Sequence, residues 1–137
     1  MRSQTEYNMR LMAELREQVL AAVPGEELEA ATYLRQGPGL LVSAPLMRGS
    51  HYLALTRRHL LLHRAGALSR MPGTAVHLAH RQQVGTVVRE ARRGLLCPTL
   101  VLQFPGQPRP LRFDVPPSWR PQALRLIDAL RLPARSS

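Results

Sequence analysis

The stretch His51-Tyr-Leu-Ala-Leu-Thr-Arg-Arg-His-Leu-Leu-Leu-His63 constrains this chain more than any other. Two apolar runs rich in Leu flank a polar break at Thr56-Arg57-Arg58, and pairing them across so short a connection satisfies their backbone groups most directly. The stretch therefore reads as a β-hairpin. Its turn is not of the Asn-Gly kind, so turn chemistry specifies it only in part.

Further strand-like runs surround this hairpin. Leu28 to Arg35 reads as a first strand, with Ala30, Thr32 and Leu34 alternating against Ala31, Tyr33 and Arg35. Gln36-Gly37-Pro38-Gly39 breaks it. Leu40 to Met47 is apolar but interrupted by Pro45, which demotes it to an edge strand or a loop framed by Arg35 and Arg48. After the hairpin, Ala75 to Ala79 reads as a short strand and Val84 to Arg89 as a longer one, with Val84, Thr86 and Val88 on one side. Leu95 to Phe104 and Leu111 to Val115 complete the series, separated by the turn-forming Pro105-Gly106-Gln107-Pro108.

Helices are expected at both ends. In residues 4–23, Tyr7, Leu11, Leu15 and Val19 recur every four residues, with Met12 and Leu20 beside them, and Pro24-Gly25 ends the stripe. Such a helix must dock on the strand domain, on a second copy, or on a partner. The last helix opens at Pro116-Pro117-Ser118, with Ser118 able to cap it and Pro121 tolerated in its first turn. Trp119, Ala123, Ile127 and Leu130 line its apolar face, and Pro133 is expected to stop it. Three segments follow: residues 1–23 as an amphipathic helix, 24–132 as the domain, and 133–137 as a tail.

A chain of 137 residues suits one domain, and at 45% hydrophobic it can bury a core. Its net charge of +10 is uneven: residues 1–29 carry −3 and residues 30–137 carry +13, with Arg supplying every basic side chain. That field draws anionic partners, whether nucleic acid or acidic headgroups. Compositional bias explains the choice of Arg over Lys equally well, though not the excess over acids. The single Cys97 rules out an intramolecular disulfide and suits a reducing compartment. With no run near a membrane span and acids where a signal peptide would be apolar, the expectation is a cytoplasmic protein able to attach peripherally to a membrane.

Catalysis is not expected. Glu90, Asp114 and Asp128 fall on different elements, no Ser sits in a nucleophile elbow, and Cys97 before Pro98 reads as a buried, inert thiol. Of the five histidines, His59 and His63 share a strand face about 13 Å apart, too far to share a metal. His51 can approach His63 across the hairpin, but a third ligand is missing, and His77 and His80 lie on another run. No cofactor or metal is expected.

The order strand, loop, hairpin, further strands and C-terminal helix resembles a pleckstrin-homology-like barrel. Leu53-Ala-Leu-Thr-Arg-Arg-His-Leu-Leu-Leu62 is similar to the strand-turn-strand signature of bacterial pleckstrin-homology-like and GRAM-like domains. Pro24-Gly-Glu-Glu27 resembles their entry segment, and His77-Leu-Ala-His-Arg-Gln-Gln-Val84 the run into a later strand. Arg57 stands where an acid is common, and the helix at 4–23 lies outside the family core. The resemblance implies an α+β, mostly β fold, a partly open barrel of about seven strands capped by the C-terminal helix, to which the stripe in residues 4–23 adds an extra N-terminal helix. It implies a non-catalytic interaction module, foremost a protein-protein adaptor or scaffold. By the same analogy the contact face is basic, formed by Arg35, Arg48, Arg57 and Arg58 with the apolar Leu40, Leu41 and Met47. Peripheral binding of anionic lipid is the alternative. Non-specific nucleic-acid binding comes third, because base-stacking aromatics are scarce. Self-association through the N-terminal helix is a further expectation.

Overall fold

The structure, a computed structural model, describes residues 2–36, 49–66 and 69–136, with side chains over 6–36, 49–66 and 69–130. Helix α1 (Arg2–Ala22) leads into β1 (Leu28–Gln36), then β2 (Ser50–Thr56), β3 (His59–Ala65) and β4 (Pro72–His80). A 3-10 turn (Arg81–Gln83) and a single helical turn, α2 (Val84–Val87), precede β5 (Val88–Arg92), β6 (Thr99–Leu102) and β7 (Leu111–Asp114). A second 3-10 turn (Pro117–Trp119) enters α3 (Arg120–Ser136). The fold is α+β: one antiparallel seven-stranded sheet of order β4-β3-β2-β1-β7-β6-β5, with β4 and β5 as unpaired edges.

Both faces of the central hairpin are covered. Alternate residues of a strand point to opposite sides, and here each side has its own core. Leu53, Leu55, Leu60 and Leu62 face inward onto Leu100, Leu102, Phe104 and Phe113, with Ala123, Leu126, Ile127 and Leu130 of α3 closing that side. Tyr52, Ala54, Leu61 and Ala65 face outward with Ala31 and Tyr33, beneath Leu11, Leu15 and Val19 of α1 and the adjoining Val23. Every residue of β2 is buried as a result. The stripe of α1 therefore docks in cis, leaving Met9 and Leu20 exposed.

The turn that lacked Asn-Gly chemistry is held from outside. The Thr56 hydroxyl donates to Glu26 Oε1 at 2.6 Å, the Arg58 backbone N–H donates to the same oxygen at 3.2 Å, and His59 Nδ1 lies 2.8 Å from Glu26 Oε2. Burial alone would raise the Glu26 pKa; the bonds from Thr56, His59 and Arg58 outweigh it and hold the carboxyl below its ordinary 4.5. Arg81 fastens the same end. Its backbone N–H donates to the Arg58 carbonyl, and its guanidinium bonds Glu29, the Thr56 carbonyl and the Ala129 carbonyl, joining β1, β2 and α3.

Four expectations are corrected. Val84 to Arg89 is not one strand: Val84 and Val87 both enter the core, a spacing of three that suits a helical turn. The Gln83 side chain also accepts the His80 N–H at 3.0 Å, the reciprocal half of a capping box. Leu95 to Cys97 form bends rather than strand, because Gly94 takes a left-handed φ of 63° and reverses the chain ahead of β6. Cys97 consequently sits half-buried in that bend. Pro133 does not end α3, which keeps its path to Ser136; the proline has no N–H for the Ala129 carbonyl four residues back, and that carbonyl accepts the Arg81 guanidinium at 3.2 Å instead. The short strand at Ala75 to Ala79 extends to Pro72–His80.

Leu15→Ala, removing a fully buried side chain from the outer core, is expected to cost about 2–5 kcal/mol in denaturant unfolding. Glu26→Gln is expected to cost about 1 kcal/mol at neutral pH through its lost charged hydrogen bonds. Because the folded-state pKa of Glu26 lies below 4.5, its contribution is complete above that value and fades as pH falls through the lower one. Unfolding of Glu26→Gln and the parent should therefore converge in acid.

Candidate functional site

All three tyrosines and the single tryptophan of the chain meet at one place. Tyr33 of β1 and Tyr52 of β2 are register partners on the outward face, their rings edge-on at 5.2 Å. The Pro116-Pro117 entry to α3 swings Trp119 to that face, 6.0 Å from each tyrosine ring. Tyr7 and Leu11 arrive from α1, and Arg70 and Ser118 complete the rim with Asn8. These side chains enclose a cleft of about 370 Å³, within the range of ligand pockets.

Hydrogen bonds fix the rings. The Tyr7 hydroxyl donates to the Ser69 carbonyl at 2.9 Å, that of Tyr52 to the Arg70 carbonyl at 2.6 Å, and that of Tyr33 to the Ser50 hydroxyl at 2.8 Å. The β3–β4 connection that supplies two of these acceptors is itself closed by bonds between Gly66 and Met71 and between Arg70 and Gly66. Arg70 holds a left-handed φ of 58°, the only described non-glycine residue to do so, a strained setting of the kind found at functional sites. Burial, then the neighbouring Tyr7 and Tyr33, push the Tyr52 phenol far above its usual range, while Arg70 acts weakly in the other direction, so it stays a neutral donor. Among the described residues, Arg70 is the only charged one lining the cleft. The Trp119 indole N–H has no hydrogen-bond partner among the described residues. Among the described residues the lining thus offers aromatic faces, the indole donor and one cation, and no acid.

The arginines anticipated as a contact face are spread out. Arg57 and Arg58 are exposed on the β2–β3 turn, and their side chains make no ion pair among the described residues. Arg35 is half-buried at the far end of β1, opposite Ser50. Pairing of Leu28 with Thr56 and Arg35 with Ser50 puts the two positions about 20 Å apart along the strands. Arg48, Leu40, Leu41 and Met47 lie outside the described residues.

The histidines do not converge either. Tyr52, not His51, opposes His63, so His51 and His63 face opposite sides of the sheet. His51 sits edge-on to Phe113, His77 stacks on Phe104, and His59 packs against His80. The acids are distributed as well, with Glu90 on Arg92, Asp114 on Arg112 and Thr99, and Asp128 on Arg93.

Sequence reasoning placed Tyr7 in the α1 stripe and Trp119 on the apolar face of α3, as core residues. The signal it passed over was the shared outward parity of Tyr33 and Tyr52, which marks where those helices must bring their own aromatics. Trp119 is half-buried, touching both cores rather than sealed in one.

Burial lowers the pKa of His63 below 6.5, against its Nδ1–H bond to the Gly73 carbonyl at 2.9 Å. Burial also lowers that of His51, whose bond to the Gly49 carbonyl opposes the effect and whose neighbours Arg64 and His77 add to it. As pH falls below 6.5 the unfolded chain takes up protons that the folded one refuses, so stability drops until the folded values are reached. His63→Gln should flatten the fall in urea midpoint below pH 6.5.

Set against known proteins, the chain matches no family model and no curated protein.

Proposed function

We propose that this chain is a non-catalytic pleckstrin-homology-like interaction module whose aromatic cleft binds an extended segment of a partner protein. Two features support the fold assignment: the strand order β4-β3-β2-β1-β7-β6-β5, and a single helix after the last strand that covers the inner core. The observation that carries the function is the convergence of Tyr7, Tyr33, Tyr52 and Trp119 around a cleft whose one charge among the described residues is Arg70.

Extended proline-rich segments dock on aromatic surfaces because their backbone is already ordered and their rings lie flat on aromatic faces. The Trp119 indole supplies a donor for a peptide carbonyl, and Arg70 supplies a fork for a neighbouring carboxylate. Rings held by their own hydroxyls need little reordering on binding, which favours affinity. The exposed Arg57 and Arg58 extend the preference for an acidic partner to a second contact.

Trp119 is the sole tryptophan, so its emission reports the cleft directly. Titration with a short proline-rich peptide bearing one acidic residue should give a saturable change, and the same peptide with alanine for proline should give none. Tyr7→Ala and Arg70→Gln should each weaken binding about tenfold, the scale of an interface anchor. An emission unchanged by both peptides would retire this reading.

A further inference from the structure

A second cleft, of about 300 Å³, opens between α2, the start of β5 and the β6–β7 turn. Phe104, buried and stacked on His77, gives it an apolar wall, and its polar lining is Gln83, Thr86, Arg89, Gln103 and Gln107. Hydrogen bonds decide what those amides can offer. Gln83 Oε1 accepts the His80 N–H at 3.0 Å, and Gln107 Oε1 accepts the Phe104 N–H at 2.6 Å. Only an amide oxygen can meet a backbone N–H, so both side chains keep their NH2 groups for a ligand. Gln103 is set the other way: its Nε2 donates to the Gln107 carbonyl at 3.2 Å, leaving Oε1 as an acceptor. The frame is closed by the Gln103 N–H on the Val87 carbonyl and the Gln107 N–H on the Phe104 carbonyl.

An irregularity in β5 brings the charge. Val88 pairs with Leu102 and Glu90 with Val101, so Arg89 is an extra residue with no partner across the ladder, a bulge of the kind that re-aims a side chain. Arg92, Arg93 and Arg112 each have an acid beside them. Arg89 is exposed and makes no ion pair among the described residues, and no acid lines this cleft among them.

We propose that this cleft binds a small hydroxycarboxylate, its carboxylate held by Arg89 with the Gln83 and Gln107 NH2 groups and its hydroxyl donating to Gln103 Oε1. The surplus of donors calls for an anion, and a guanidinium fork matches a planar carboxylate. The Gln103 oxygen narrows the choice, because it repels a group that carries only acceptors, such as a phosphate dianion, and calls for a donor beside the carboxylate. An ammonium is opposed by the charge of +13 over residues 30–137, so the donor is a hydroxyl. The volume lies at the lower end of ligand pockets, which suits a small molecule.

Isothermal titration of the full chain with L-malate, succinate and inorganic phosphate at matched ionic strength tests this. Malate is expected to saturate, succinate, which lacks only the hydroxyl, to bind about tenfold more weakly, and phosphate to give no binding where malate saturates. Arg89→Gln should weaken malate binding about tenfold or more and, at an exposed and unpaired position, retain the parent thermal midpoint. In nitrogen-15 spectra the signals that malate moves should be those of residues 83–89 and 103–107, with the glutamine side-chain amides among them. The proposal is overturned by no saturation with malate, by equal binding of the three anions, or by malate affinity that Arg89→Gln leaves intact. Shifts confined to the aromatic cleft would also overturn it, as would a peptide with a free C-terminus that displaces malate at lower concentration.

Discussion

Burial of the β2–β3 hairpin on both faces is the constraint that organises this molecule. A strand covered on one side alternates polar and apolar residues; one covered on both is apolar nearly throughout. Leu60, Leu61 and Leu62 run consecutively because the sheet has a core on each side there. No single helix can cover both, so α1 and α3 are required together, and the sheet between them becomes the middle of three layers. The turn end of the hairpin is then secured by groups brought from elsewhere, Glu26 from before β1 and Arg81 from beyond β4. The opposite end is secured by tyrosine hydroxyls on the β3–β4 connection.

Local periodicity made much of this legible. The hairpin, the stripe of α1, the alternation in β1 and β7 and the apolar face of α3 were all written in side-chain spacing. The misreadings came where two periods competed. Val84, Thr86 and Val88 fit a spacing of two, but the core takes Val84 and Val87. Leu95 and Leu96 looked like the start of a strand because apolar residues are read as buried by default, and nothing in their own identity reveals a glycine reversal braced from α3. The aromatic cleft showed locally only in the shared parity of Tyr33 and Tyr52, since Tyr7, Tyr33, Tyr52 and Trp119 come from four separate elements. Register, likewise invisible in sequence, is what parts Arg35 from Arg57 and Arg58.

The charge imbalance has a definite geography. Each of the acids after residue 29 is matched to an arginine beside it, so the surplus is left on turns and rims: the β2–β3 turn, the edge of the aromatic cleft and the base of the β5–β6 connection. The start of α3 connects two of these places. Trp119 faces the tyrosines, and the next residue, Arg120, reaches the Gly94 carbonyl.

The two-sided core also has a consequence for synthesis. A nascent chain leaving the ribosome presents α1 first, but the outward side chains that α1 covers are complete only after β3 has emerged, and the inward side waits for α3, which follows all seven strands. During that interval the Leu-rich hairpin has a lid on one face at most. Such exposed strand surface is the material of misassembly, so translation that lingers between β3 and α3 would hold this protein in its most adhesive form.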